Sequence, residues 1–140
     1  MDNLSFEEIL SKHGQIVKTP TGCSMRPMLK NKEDHVVIES ICAPLRVNDV
    51  VLFKRANGQY VLHRIIKIRQ NDFVIRGDNC IENEYGITEN QIIGKLKGFF
   101  KGNHYIDCDK SIIYKLYVLI WRITFFPRAF IIRLFVLFKK

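Results

Sequence analysis

Acidic residues are missing from the last thirty positions of this chain: Ser111 to Lys140 carries six Lys/Arg and no Asp or Glu. Residues 1–110 hold 16 Lys/Arg against 14 Asp/Glu, so +6 of the +8 formal charge sits at one end and the rest is close to neutral. A near-neutral body excludes a nucleic-acid reader built on a basic β-face, and no nucleic-acid partner is expected. Long uncharged runs are also lacking. Within 111–140 none exceeds six residues, because Arg122, Arg128 and Arg133 interrupt the apolar sequence. Three arginines near a bilayer centre cost about 2.5–3.5 kcal/mol each, which offsets what the Leu, Ile, Val and Phe of this segment return at about 0.3–0.6 kcal/mol each. A clean membrane span is therefore not expected. No C-x-x-C pair occurs among Cys23, Cys42, Cys80 and Cys108, which speaks against a zinc site or a disulfide framework. The cysteines read as reduced small hydrophobes, and neither metal nor cofactor is expected. Met1 to Gly14 has no basic n-region and no apolar h-region, so no secretory signal is expected there. Repeats and low-complexity linkers are absent.

What is present describes a folded chain of 140 residues, 47% hydrophobic and 26% charged, long enough for one sizeable core. Ser5 and Glu8 fit a capping box, and Gly14 closes the short helix they open. The pattern then turns to period two with β-branched residues. Strands are expected over His35–Glu39, Asp49–Arg55, Gln59–Arg69, Phe73–Arg76, Gln91–Phe100 and His104–Asp107, with Asn57-Gly58 as a hairpin turn. Glu82 to Asn90 reads as a polar loop. In the third strand Tyr60, Leu62 and Arg64 share one face, and Val61, His63 and Ile65 the other. The fold expected is mainly β, with a short N-terminal helix, a β-rich domain over 1–110 and a basic helical tail over 111–140.

The stretch Thr21-Gly22-Cys23-Ser24-Met25-Arg26-Pro27-Met28-Leu29 carries the chemistry. Gly22 reaches dihedrals other residues avoid, and Pro27 fixes its own φ, so Ser24 belongs to a turn backed by apolar Met25, Met28 and Leu29. A serine hydroxyl needs a base to take its proton. His63 lies on a strand 39 residues on, and Asp78 follows on a Gly-Asp-Asn turn. A serine, a histidine and a carboxylate can serve as nucleophile, base and orienter.

The runs Gly22-Cys23-Ser24-Met25-Arg26-Pro27, Asp49-Val50-Val51-Leu52-Phe53, His63-Arg64-Ile65-Ile66, Arg76-Gly77-Asp78-Asn79 and Ile93-Gly94-Lys95 together resemble the boxes of the type I signal peptidase family, in family order over residues 20–98. That family shares a β-rich fold with LexA-type self-cleaving repressors. The resemblance implies Ser24 as nucleophile and His63 as base. Histidine before Arg64 is similar to the archaeal and endoplasmic-reticulum branch, where most bacterial members have lysine. It implies Asp78 as the Gly-Asp-Asn carboxylate, with Glu84 where the Ser/His branch has a further aspartate, so Asp78 or Glu84 orients His63. Gly22 stands where some members carry an oxyanion-hole serine. Gly22, Cys23 and Met25 are therefore expected to line the substrate and oxyanion site with the Ser24 N–H and Thr21. Members usually carry an N-terminal membrane anchor, and none is expected here.

Lys115, Arg122, Arg133 and Lys140 fall within about 20° of one another on a helical wheel, with Arg128 and Lys139 on a second line. A basic amphipathic helix kinked at Pro127 and lying in an anionic membrane surface is expected, dispensable for the chemistry; a helix packed on the β-body is the alternative. The reading is thus a membrane-associated serine endopeptidase that cleaves a signal or leader peptide from a precursor. A LexA-type self-cleaving regulator is the first rival, opposed by the absence of any Ala-Gly or Cys-Gly bond and by the 23 residues before Ser24, too few for a DNA-binding domain. The second rival is a non-catalytic membrane-bound β-module.

Overall fold

Alternation of apolar residues along successive segments builds one antiparallel sheet with a core on each face. The computed structural model describes residues 4–30 and 32–139; Lys140, expected on the tail's polar line, lies outside them. Helix α1 (Phe6–His13) is followed by β1 (Gln15–Lys18), β2 (His35–Glu39), β3 (Val50–Lys54), β4 (Tyr60–Ile68), β5 (Phe73–Arg76) and β6 (Glu84–Ile87). A 3-10 turn (Glu89–Gln91), β7 (Ile92–Lys101), β8 (His104–Asp107) and helices α2 (Ile112–Ile123) and α3 (Phe125–Phe138) complete the chain. The sheet order is β1-β2-β7-β3-β4-β5-β6, with β8 also paired to β7. The fold is mainly β, as the sequence pattern predicts.

Period-two alternation divides the two cores. Val50 and Leu52 of β3 join Met25, Met28, Leu29, Leu10 and Phe99 on one side, with Tyr60 and Leu62 packed against them. Val51 and Phe53 join Ile65, Ile75 and Ile87 on the other, with Val61 packed against them. His63 and Arg64, neighbours on β4, consequently face opposite sides of the sheet. Helix α1 has the expected ends: Ser5 accepts from the Glu8 N–H, the Glu8 carboxylate accepts from the Ser5 N–H at 2.7 Å, and Gly14 sits at φ 78. The turn into β3 uses Asn48 in the left-handed region at φ 81.

Three expectations change. Residues 82–90 are not a plain loop, because Glu84–Ile87 pairs with β5 and the 3-10 turn follows. Only Ile87 of that strand is fully buried, so its sequence carries no alternating signal, and pairing decides its state. The short edge strand β1 was likewise invisible, with none of its four residues fully buried. The tail is two helices rather than one. It breaks at Thr124, where the hydroxyl donates back to the Ile120 carbonyl at 2.7 Å, and Pro127 falls in the first turn of α3, where its missing N–H is tolerated. Helix α2 packs on the body: Tyr114 and Val118 are core residues. Helix α3 buries only Ala129. As for the cysteines, all four are free, Cys23 and Cys42 are exposed, Cys80 is half-buried, and only Cys108 packs against a hydrophobic core.

Candidate active site

Buried Met25, Met28 and Leu29 pin the Ser24 turn from below, and Leu29 N–H donates to the Met25 carbonyl at 3.0 Å. Gly22 takes φ 88 and leaves Ser24 half-buried at the rim. The Gly77-Asp78-Asn79 turn docks onto this segment. Asn79 N–H donates to the Ser24 carbonyl at 2.7 Å, and its side-chain amide donates to the Cys23 carbonyl at 3.1 Å. Gly77 makes the approach possible. A Cβ there would lie 2.7 Å from the Ser24 carbonyl oxygen, 2.9 Å from Cys80 Sγ and 3.0 Å from His63 Nε2. The Ser24 backbone and His63 Nε2 therefore border one small space, closed on a third side by the Cys80 thiol.

His63 is 6% exposed, opposite Val51 on β3, with its ring centroid 6.0 Å from that of Phe53. Its Nδ1 faces Glu84 Oε1 at 3.3 Å, charge-pair distance but outside hydrogen-bond geometry, and it has no other partner. Glu84 is itself held by Arg55, which donates from Nε to Oε2 at 3.1 Å and from Nη2 to Oε1. Burial pushes the His63 pKa below its ordinary 6.5; Glu84 opposes that shift and Arg55 adds to it. The imidazole is thus neutral near pH 7. With its proton on Nδ1, towards Glu84, Nε2 presents a lone pair on the Ser24 side.

Asp78, the other acid expected to serve His63, is committed elsewhere. Arg64 grips it through Nε–Oδ1 and Nη2–Oδ2 contacts of 2.8 Å each, and Tyr117 donates to Oδ2 at 2.9 Å. Arg64 is 1% exposed and also donates to the Asn48 carbonyl at 2.8 Å and the Tyr114 hydroxyl at 3.0 Å. Burial works against the Arg64 charge, but Asp78 outweighs it and raises the guanidinium's pKa. Trp121 of α2 donates to the Asp78 carbonyl at 2.8 Å. Of the two acids, geometry gives Glu84 to His63 and makes Asp78 the anchor of the turn that docks on Ser24.

On the Ser24 turn, the N–H groups of Ser24 and Met25, the expected oxyanion donors, donate to no acceptor among the described residues. The Cys23 carbonyl is taken by Asn79 and by Arg26 N–H. Thr21 lies at the rim of a cavity of about 60 Å³ that runs under Pro20 between Ile16, Lys18, Val36, Leu52 and Leu62. A larger cavity of about 530 Å³ opens between Asp49, Lys95 and Lys115 and is lined by none of the candidate catalytic residues. Gly77, Arg55, Arg64, Tyr117 and Trp121 escaped the sequence reading as site residues. Each acts through a partner far along the chain, and only the adjacency of Arg64 to His63 offered a local hint. No protein-family model matches the chain, and no curated protein matches it.

Proposed function

We propose that this chain is a serine endopeptidase that works at a membrane surface, cleaving a signal or leader peptide from a precursor through an acyl-enzyme. The observation that carries the reading is the meeting of three elements: a serine turn, a buried histidine whose Nε2 borders the same small space, and a carboxylate clamped by Arg55 on the far ring nitrogen. The resemblance of residues 20–98 to type I signal peptidases supports it.

In this reading His63 Nε2 takes the Ser24 hydroxyl proton as Oγ attacks the scissile carbonyl carbon. The negative charge that forms on the carbonyl oxygen meets the unengaged N–H groups of Ser24 and Met25. The His63 imidazolium, stabilised by Glu84, then gives its proton to the leaving amine as the C–N bond breaks. Water, deprotonated by the same nitrogen, attacks the ester carbonyl, and His63 returns that proton to Ser24 Oγ as the acyl C–O bond breaks and the carboxylic product leaves. Strand β1 has β2 as its neighbour in the sheet order and runs to Lys18, just before the Ser24 turn. It offers a free edge to an extended substrate. The small cavity under Pro20 and Thr21 admits a small side chain next to the cleaved bond, not an aromatic one.

The pH profile follows from the burial of His63. The base must be unprotonated, so kcat/KM climbs with pH through the free-enzyme pKa, and burial moves that limb below 6.5. A limb centred above about pH 8.5, or one persisting in His63→Ala, would instead indicate a lysine base such as Lys67. Labelling by a serine-reactive acylating inhibitor, blocked in Ser24→Ala, tests the enzyme reading directly.

The membrane part of the proposal rests on α3. Phe126, Phe130, Phe135, Leu137 and Phe138 are each more than 60% exposed, a larger apolar surface than a free monomer ordinarily keeps in water. No helix among the described residues is long and apolar enough to cross a membrane. A helix lying in the interface fits this surface. Because α2 supplies Tyr114 and Val118 to the core and Trp121 to Asp78, the boundary of function lies at Thr124 rather than Lys110. A chain ending at Thr124 is expected to fold, cleave a short peptide and lose vesicle binding. One ending at Lys110 is expected to unfold, as read by circular dichroism and thermal melting. Retention of vesicle binding by the Thr124-terminated chain would remove α3 from the membrane assignment.

A further inference from the structure

Three arginines at the α2–α3 junction form no ion pair with an acid among the described residues. Arg76, at the end of β5, is only 8% exposed, yet its one hydrogen bond is from Nη1 to Asn83 Oδ1 at 3.1 Å, and its Cζ lies 3.5 Å from the centroid of the Phe125 ring. Arg128 of α3 stacks in the same way on Trp121, Cζ 3.5 Å from the ring centroid, and otherwise donates to the Thr124 hydroxyl and the Trp121 carbonyl. Arg122 donates to Asn48 Oδ1 at 2.7 Å and to the Ile66 carbonyl at 3.4 Å. Asp78, two residues after Arg76, has both carboxylate oxygens taken by Arg64 and Tyr117. Burial pushes the Arg76 pKa down, and the charges of Arg122 and Arg128 push it further; the Asp78 charge opposes them without reversing the shift.

The cluster also has hydrogen bonds to give. Among the described residues, His63 Nδ1 is the sole fully buried side-chain nitrogen or oxygen without a partner. The unbonded nitrogens here (Nε and Nη2 of Arg76, Nε of Arg122, Nη1 of Arg128) are therefore not fully buried. Around them the helices are apolar and uncovered: Ile123 is 69% exposed, Phe126 80% and Phe130 64%.

We propose that Arg76, Arg122 and Arg128 form a site for one phosphate oxyanion, the headgroup phosphodiester of an anionic phospholipid whose acyl chains lie against α2 and α3. This rests on the membrane reading above and adds to it a discrete site that draws one member from the sheet. Guanidinium forks match phosphate oxygens in pairs, and stacking on aromatic faces orients them in advance. A group of cations with neutral partners excludes a metal ion as ligand. The exposed apolar collar favours a phosphate that carries acyl chains over a free one.

The test uses the full chain, with vesicles of phosphatidylcholine alone and of phosphatidylcholine mixed with phosphatidylglycerol. It is run at high salt, where general surface attraction is screened. Wild type is expected to bind the mixed vesicles about tenfold more tightly than the neutral ones. Arg76→Gln and Arg128→Gln are each expected to erase most of that preference while neutral-vesicle binding holds. Arg133→Gln, on the exposed part of α3, is expected to weaken mixed-vesicle binding by about fivefold at low salt and hardly at all at high salt. If Arg76→Gln melts early, Arg128→Gln and Arg122→Gln carry the comparison. Wild-type preference retained in all three variants overturns the site and leaves the membrane reading standing. Failure of wild type to bind any vesicle overturns both. Inorganic phosphate raising the wild-type melting temperature at matched ionic strength, without any vesicle preference, overturns the lipid assignment in favour of a soluble anion.

Discussion

Ser24→Ala is expected to lower kcat for peptide cleavage by roughly four to six orders of magnitude while leaving the circular dichroism spectrum and melting temperature close to wild type. The hydroxyl lies on a half-buried turn held by backbone and by Met25, Met28 and Leu29, so its removal costs little packing. His63→Ala is expected to fall as far in activity. The two together should cost about as much as either alone, because nucleophile and base act as a unit. Glu84→Gln belongs between these and wild type, with a loss of roughly two to four orders of magnitude. Its amide removes the negative charge facing Nδ1 and loosens the tautomer that aims Nε2 at Ser24. The same substitution removes the carboxylate that opposes the His63 pKa depression, so the residual activity should show its acid limb at still lower pH. Single-turnover cleavage of a short peptide across pH 5 to 9 measures all of this. Turnover unchanged in Ser24→Ala would end the reading of Ser24 as nucleophile, and no turnover by the wild type would leave the β-module.

The sequence made the Ser24 turn and the strand carrying His63 legible because both rest on local rules. Gly22 and Pro27 dictate a turn, period-two apolar residues dictate β4, and the Ser5/Glu8 pair with Gly14 dictates α1. The division of labour between Asp78 and Glu84 was not legible. It depends on which acid Arg64 and Arg55 each claim, 14 and 29 residues away, and no spacing rule encodes that choice. Arg64 and His63 are adjacent, so their opposite orientations were readable, but which acid stands on which face needed the 77–80 turn to be placed. The tail misled for a physical reason. A helical wheel assumes one continuous helix, whereas Thr124 ends α2 and splits the polar line into separate faces. Tyr114, Tyr117 and Trp121 look like interfacial aromatics in sequence; in the fold they hold Arg64 and Asp78. Composition cannot separate an aromatic that faces lipid from one that caps a buried ion pair.

That buried pair sets the second large effect. Asp78→Ala is expected to destabilise the fold by about 3–5 kcal/mol, because it strands the Arg64 guanidinium, 1% exposed, inside the protein without its counter-ion. For a domain with about 5–15 kcal/mol of total stability this is a large fraction, and it should lower the melting temperature by roughly 10–20 °C. Tyr117 also loses its acceptor, which adds to the cost. Removing both ions is gentler than removing one. Arg64→Met combined with Asp78→Leu should recover a good part of the loss, since the desolvation cost of the pair disappears with it. Chemical denaturation of the full chain, fitted for midpoint and slope, reads the energies. At a temperature where Asp78→Ala is still folded, the acid limb of its pH profile should move down less than in Glu84→Gln, because Glu84 faces Nδ1 and raises the His63 pKa more than the Asp78 charge does. The reverse pattern would exchange the roles of the two acids: stability within about 1 kcal/mol of wild type, with activity as low as that of His63→Ala. Asp78 would then be the carboxylate that serves His63, and Glu84 a partner for Arg55 alone.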